Sequence, residues 1–356
     1  MSAKYTNRAC VWVAANTLEI QELPTKPVGP DDVLVQVMAT GICGSDAHNW
    51  NSAHVSRQLV LGHESAGIIV EVGSNVDKSR VGQRVAMEPG FACLKCESCL
   101  QGKQNICTNL AYCGLDPTDG TLQQYFICGA HMAIPIPDKI SWEEAGAIQP
   151  LAIAVQLGRR AALTANKTLA IFGCGPLGIL VIAVAKASGV RKIIVFDVEQ
   201  SRMDFAVQYG ADVGIISPNN DGSDDALEFA QRFVAQTLKE QGLDHGVDVS
   251  VEASGVESCA QMAIAILKPG GTCIQAGLGK PLTAVPLLML TAKELTIKGT
   301  VRFTPGCYGD AIDLVSRGKV DLRSLITSTY PLTRASDAFV AQHARKDIKI
   351  VIMNQE

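Results

Sequence analysis
The chain has 356 residues, 47% of them hydrophobic, with 31 Lys and Arg against 35 Asp and Glu, a net charge of −4. At ~150 residues per domain, that length allows roughly two domains, each with its own core. The mild acidity, with no basic run, argues against a nucleic acid or an anionic membrane surface as partner.

The first residues, Met1-Ser-Ala-Lys-Tyr-Thr-Asn-Arg8, lack the apolar core of a signal peptide. The most apolar stretch, 179–187, contains Lys186 and is too short to span a bilayer. A cytoplasmic, reducing setting is expected, where clustered cysteines are more often metal sites than disulfides. The isolated Cys10, Cys113, Cys128, Cys174, Cys259, Cys273 and Cys307 are expected to pack as small buried hydrophobes.

Leu34-Val-Gln-Val-Met38 alternates apolar and polar residues, as a half-buried strand does. Runs 65–73 and 84–87 read as further strands, so the first 150 or so residues form an irregular, mostly β, barrel-like domain. Within it, Gly41-Ile-Cys43-Gly-Ser45-Asp46-Ala-His48 and Gly62-His63-Glu64 hold a possible metal set. Cys43 and His63 are good zinc ligands and Glu64 is a possible third. Three protein ligands leave the open position that a catalytic zinc requires. A zinc ion there would polarise an alcohol and lower its pKa. Taken singly, a Cys in a Gly turn and a lone His have ordinary structural readings.

Cys93, Cys96, Cys99 and Cys107 follow with spacing C-x2-C-x2-C-x7-C. Four thiolates in one short loop can wrap a tetrahedral ion with no open position, a structural zinc site. A disulfide cluster or an iron–sulfur site is the alternative.

From Lys167 the pattern changes to alternating strands and helices, with strand-like runs at 168–172, 192–196, 213–216, 247–251, 272–276 and 295–298. Such alternation implies a doubly wound parallel sheet. Gly173-Cys-Gly175-Pro176-Leu177-Gly178 follows the first of these strands and opens a helix, and Asp197 ends the second. In that context the glycines serve the tight turn, the backbone approach to a pyrophosphate and close helix packing. Asp197 suits the ribose hydroxyls of NAD and would repel the 2′-phosphate of NADP, although Arg202 lies nearby. After Gly299, a helix near 309–316 and a strand at 348–352 are too little to fold alone and are expected to return to the first domain.

With these motifs in hand, the chain resembles the zinc-containing medium-chain dehydrogenase/reductase family from end to end. Gly62-His-Glu-x2-Gly67-x5-Gly73-x2-Val76 matches the zinc alcohol dehydrogenase signature. The four-cysteine lobe, 173–178 and Ala276-Gly277-Leu278-Gly279 match its other segments. Within the family it most resembles the polyol branch: sorbitol, xylitol and arabinitol dehydrogenases. Cys-Gly-Ser-Asp-x-His, Glu143-Glu-Ala-Gly-Ala147 and Lys298-Gly-Thr-Val301-Arg302-Phe303-x-Pro-Gly306 carry that closer match.

The resemblance implies an α/β fold, with a Rossmann NAD-binding domain (153–296) inserted in a mostly β, GroES-like catalytic domain (1–152 and 297–356). It implies a catalytic zinc on Cys43, His63 and Glu64, a structural zinc on the lobe, and NAD. Ser45 would take the alcohol proton and pass it through the cofactor ribose towards His48. Gly173, Gly175, Pro176, Leu177, Gly178, Asp197, Arg202, Ala276, Gly277, Leu278, Val301, Arg302 and Phe303 would line the cofactor. Asn49, Gln149 and Arg302 would lie at the substrate. The implied reaction passes a hydride between a secondary alcohol, a polyol such as xylitol or sorbitol, and NAD. The alternatives are a diverged enzyme for a bulkier alcohol or carbonyl, and a catalytically silent relative. Relatives are dimers or tetramers, so a homo-oligomer is expected.

Three departures fall at the substrate side. The branch has Ile-Glu-Pro-Leu where this chain has Ile148-Gln149-Pro150-Leu151, and a neutral amide cannot take up a proton at neutral pH. Asn49 precedes Trp50 where the branch has tyrosine, and the loop from Trp50 to Gly62 is several residues shorter.

Overall fold
The computed structural model describes residues 5–52, 57–218 and 225–356. They form two compact units, Met1–Ala152 with Thr304–Glu356, and Ile153–Phe303. The shortened loop, through 53–56, lies partly outside the described residues.

The first unit opens with an antiparallel hairpin, β1 (Thr6–Ala14) and β2 (Thr17–Pro24). β3 (Asp32–Gly41), β4 (Glu64–Val72), β5 (Arg84–Met87), β6 (Tyr125–Gly129) and β7 (Ala133–Pro135) follow. Val33, Val35 and Val37 alternate inward from β3 and pack with Ile69, Val85 and Met87, the period of two that a sheet imposes. A short helix, α1 (Gly44–Trp50), leaves the end of β3 with Cys43 as its N-cap. The boundary between the units falls inside α2 (Ile148–Ala161).

The second unit holds β8 (Thr168–Phe172), β9 (Lys192–Asp197), β10 (Val213–Ile216), β11 (Val247–Glu252), β12 (Leu267–Gln275) and β13 (Thr296–Gly299). They form one parallel sheet in the order β10-β9-β8-β11-β12-β13, the two-halved arrangement of dinucleotide-binding folds. β8 is buried along its whole length, as a central parallel strand must be. Among the described residues five helices lie between these strands: α3 (Pro176–Ala187), α4 (Gln200–Tyr209), α5 (Ala226–Glu240), α6 (Glu257–Ala265) and a short one at Leu287–Ala292. The sequence puts the return to the first domain at 297. By contact the second unit runs on to Phe303, because β13 pairs in register with β12.

The last residues add α7 (Cys307–Ser316), β14 (Ile326–Pro331), α8 (Ala335–His343) and β15 (Lys349–Met353) to the first unit. β15 pairs antiparallel with β3 and parallel with β14, giving the order β7-β5-β4-β3-β15-β14, with β6 also on β3. This pairing carries Lys349 to the end of β3 from which α1 leaves. Among the described residues no helix is long and apolar enough to cross a membrane.

Candidate active site
Cys43, His63 and Glu64 come together where β3 ends and β4 begins. Their ligand atoms all lie within 4.8 Å of one another. Gly62, just before His63, holds φ at 94°, a conformation that glycine adopts without a side-chain penalty. One sulfur, one imidazole nitrogen and one carboxylate oxygen form a donor set that suits zinc and leaves a fourth position open.

Asp46 ties the cluster together from beneath and is 1% exposed. Its Oδ2 accepts the Cys43 N–H at 3.0 Å and its Oδ1 the Gly62 N–H at 3.2 Å. His63 Nδ1 lies 3.3 Å from Asp46 Oδ1, which orients the ring and leaves Nε2 for a metal. Burial alone would push the Asp46 carboxyl up. The His63 charge and hydrogen bond, with the two N–H donors, outweigh it and hold the pKa below the usual carboxylate range. Burial would likewise lower the His63 pKa, but the Asp46 carboxylate outweighs it and holds the value well above the ordinary range. Asp46 stood in the sequence motif without a role. An acid three residues after a metal-ligating cysteine, at a helix start, was the signal.

Lys349 is the second residue that sequence reasoning missed. It is 3% exposed, donates to Ile42 O at 2.9 Å and forms a buried ion pair with Glu64 Oε2. A lone lysine inside the apolar run Ile348-Lys-Ile-Val-Ile352 was the clue, since lysine is almost never buried without a partner.

Gln149 lies in the first turn of α2, 2% exposed. Its Nε2 donates to the Tyr112 hydroxyl at 3.0 Å, while its Oε1 is buried with no protein partner. An unpaired buried acceptor costs about 1–3 kcal/mol unless something else meets it.

Ser45, His48 and Asn49 all stand on α1; Ser45 and His48 are exposed and three residues apart, hence on one face of the helix. Trp50 is core: it packs on Phe339 with ring centroids 5.8 Å apart.

The lobe is assembled in full. The ligand atoms of Cys93, Cys96, Cys99 and Cys107 lie within 4.8 Å of one another, and the Cys96 and Cys107 sulfurs are 3.8 Å apart. A tetrahedron with Zn–S of ~2.3 Å has S···S edges of about 3.8 Å. Backbone N–H groups point at the sulfurs: Cys93 N–H donates to Cys107 Sγ and Cys96 N–H to Cys93 Sγ, both at 3.4 Å. The Cys99 N–H, and after it that of Thr108, lower the Cys96 thiol to about 6. Burial, with neighbouring thiols, pushes Cys99 up to about 12. A cation is what lets all four ionise together. Cys99→Ser is expected to release one zinc per chain and leave the other bound, checked by metal analysis; unchanged metal content would argue against a metal role for the lobe. All twelve cysteines are free. The isolated ones are buried except Cys259, which is half-buried, and burial pushes Cys10 up to about 12.

In the second unit, Gly173–Gly178 links β8 to α3, with Gly175 as N-cap and Pro176 at the first helical position. No side chain caps that helix, so its first N–H groups stay available to a phosphate. A Cβ on Gly178 would come within 1.9 Å of Gly173 O, so only glycine fits. Asp197 ends β9; its Oδ2 accepts the Cys174 N–H at 2.7 Å and its Oδ1 the Glu199 N–H at 3.0 Å, which fixes the carboxylate. Arg202 is half-buried in α4. Ala276, Gly277 and Leu278 follow β12, and Val301, Arg302 and Phe303 follow β13, with Arg302 at φ 53°. Glu252, unassigned from sequence, is fully buried at the end of β11 and accepts the Ser254 and Gly255 N–H groups and Gln275 Nε2. It braces the loop against which Gly277 packs.

Comparison with known proteins agrees with this layout. The alcohol dehydrogenase GroES-like domain matches residues 29–138 and the zinc-binding dehydrogenase domain 176–317. A probable D-xylulose reductase A of Aspergillus clavatus is 40% identical over 328 residues, 91% of this chain and 89% of that protein. A protein described as a short chain alcohol dehydrogenase (rspB) of E. coli CFT073, solved with NADH, superposes with a TM-score of 0.89 at 28% identity, covering 98% of this chain and 100% of that one. A putative zinc-binding dehydrogenase of Sinorhizobium meliloti, solved with NADP, gives 0.86 at 27% identity, over 98% and 100%. The chain belongs to the zinc-containing medium-chain dehydrogenase/reductase family.

Proposed function
We propose that this oxidoreductase interconverts a secondary hydroxyl of a polyol, such as xylitol or sorbitol, with the corresponding ketone, using NAD. The observation that carries the proposal is the Cys43–His63–Glu64 cluster, three ligand atoms within 4.8 Å of one another. The likeness to a D-xylulose reductase supports a polyol. Cys43, His63 and Glu64 would hold a zinc ion, which would supply Lewis-acid polarisation of the hydroxyl, and the nucleotide site would hold NAD, which would supply the hydride acceptor.

The chain's own residues do the rest. Asp46 orients His63, and Lys349 balances the charge of Glu64. Ser45 Oγ would accept the alcohol proton while its own hydroxyl proton passes by way of the cofactor ribose towards His48, exposed on the same helix face, and on to solvent. Asn49 and Arg302 are assigned to further substrate hydroxyls. The free N–H groups at the start of α3 take the pyrophosphate. Asp197 takes the ribose hydroxyls, and its fixed carboxylate favours NAD over NADP despite the NADP found in one structural relative.

The test is absorbance at the reduced-nicotinamide band with a polyol panel. NADH is expected from at least one polyol, with NAD preferred over NADP and with Ser45→Ala lowering kcat. No reduction of either cofactor by any polyol would sink the proposal.

A homo-oligomer and a cytoplasmic setting belong to the same reading. β13 is an exposed edge strand, and Leu282, Leu287 and Leu288 beside it in sequence are 88%, 68% and 83% exposed. An open edge with exposed leucines suits pairing with a second copy of the chain. Light scattering is expected to give a dimer or tetramer, and Leu288→Asp a smaller species; a monomeric wild type would contradict this. Twelve free cysteines suit a reducing compartment.

A further inference from the structure
The backbone at Gly62 sets where His63 stands. Gly62 holds φ at 94°, and a glycine loses more freedom than any other residue when it is kept in one conformation. The chain around residue 121 keeps it there. Thr121 N–H donates to Gly62 O at 3.0 Å, Leu122 N–H donates to Leu61 O at 3.0 Å, and Asp46 Oδ1 takes the Gly62 N–H at 3.2 Å. Both peptide units that flank Gly62 are thereby fixed, including the one that joins it to His63. The fit is close, since a Cβ on Gly120 would come within 2.3 Å of Gly62 O.

Residues 120–124 lie just before β6 and belong to no strand, so no ladder holds them in turn. Side chains do this instead. Asn354, 0% exposed just past β15, donates Nδ2 to Thr121 O and to Gln123 O, each at 2.9 Å. Thr40 Oγ1 and the Gln123 N–H also donate to Thr121 O, at 3.0 and 2.8 Å. Among these donors, Asn354 alone joins the two carbonyls. Both are acceptors only, so they fix which end of the amide faces them, and its Oδ1 has no protein partner. The last strand thus reaches both halves of the His63–Glu64 pair. Lys349 meets Glu64 directly, and Asn354 reaches His63 through Thr121 and Gly62.

We infer that Asn354 is a positioning residue for the metal cluster: it sets the turn at 121–123, which through Gly62 O sets the place of the His63 imidazole. The inference rests on the zinc reading of the cluster. Because Asn354 acts through the backbone, its loss alters the geometry at the metal and leaves the three ligands in the chain.

The experiment loads Co2+ into the cluster of the full chain, with the lobe zinc left in place. The visible cobalt spectrum, the rate of metal loss to a chelator and the urea midpoint are measured for wild type, Asn354→Leu and Gln355→Ala. Asn354→Leu removes both donors and keeps a side chain of similar length. Gln355 is the comparison: its Nε2 donates to Val37 O at 2.6 Å and Gln124 O at 3.0 Å, neither of which bonds to Gly62. Both variants are expected to lower the urea midpoint. Asn354→Leu alone is expected to shift the cobalt band and to speed metal loss ~10-fold, the low end of the scale for outer hydrogen-bonding partners. No spectral shift in either variant, or the same shift in both, would overturn the inference and leave the zinc reading standing. If Asn354→Leu does not fold, Asn354→Ser, which keeps one donor, is expected to give a smaller shift in the same direction, and an unchanged spectrum would overturn the inference. A wild-type chain that binds metal only at the lobe would overturn the zinc reading and the inference with it.

Discussion

Cys43→Ala is expected to lower kcat/KM for alcohol oxidation by about 10³-fold or more, since the metal's polarisation of the hydroxyl supplies several kcal/mol and each ~1.4 kcal/mol is tenfold. Of the three ligands, Cys43 is the one whose removal disturbs the protein least. It is half-buried at a helix N-cap, and the Asp46–His63 pair survives its loss. His63→Ala would strand Asp46 as a buried carboxylate without its partner, and Glu64→Ala would strand Lys349. The Cys43 variant should therefore fold, keep the lobe zinc, lose the other zinc and lose turnover. A variant that kept wild-type kcat/KM after losing that zinc would show that the cluster takes no part in the chemistry.

Lys349→Met is expected to destabilise the chain without cluster metal by about 3–5 kcal/mol, the usual cost of removing one partner of a buried ion pair. The Lys349 and Glu64 side chains are 4% and 2% exposed, so the abandoned carboxylate has almost no access to water. Glu64 is also a metal ligand in this account, and a bound cation would restore much of the lost attraction. The deficit should therefore be large when the cluster is stripped and smaller when it is loaded. Denaturant unfolding in both states measures it. Equal and small losses, under ~1 kcal/mol as for an exposed pair, would show that the pair is not coupled to the metal position.

Much of the fold could be read in the sequence because the relevant signals are local. β5 and β10 were expected at the residues where they form, and the six runs after Lys167 became the six strands of one parallel sheet. Apolar runs, glycine turns and an acid at a strand end are short-range patterns. The β1–β2 hairpin, α2, α8 and β14 were harder to read. β2 is mostly exposed, and α8 carries no strong apolar stripe, so neither advertises its period.

The same division runs through the site. Cys43, His63, Glu64 and the lobe cysteines stand in compact motifs, and their chemistry is specific enough to name. Lys349 reaches Glu64 across 285 positions of sequence, and Tyr112 reaches Gln149 across 37. Nothing in the neighbourhood of either residue points to its partner; only strand pairing and the start of a helix bring them together. The glutamine itself was visible as a departure from the polyol branch. What the sequence lacked was the tyrosine hydroxyl that accepts the Gln149 Nε2–H.

The most direct test of the account measures zinc content and turnover on one sample. The protein is expected to hold two zinc ions per chain and to form NADH from a polyol. Selective removal of the cluster ion should abolish NADH formation, and re-addition of zinc should restore it. One zinc per chain, with no NADH from any polyol, would contradict the account.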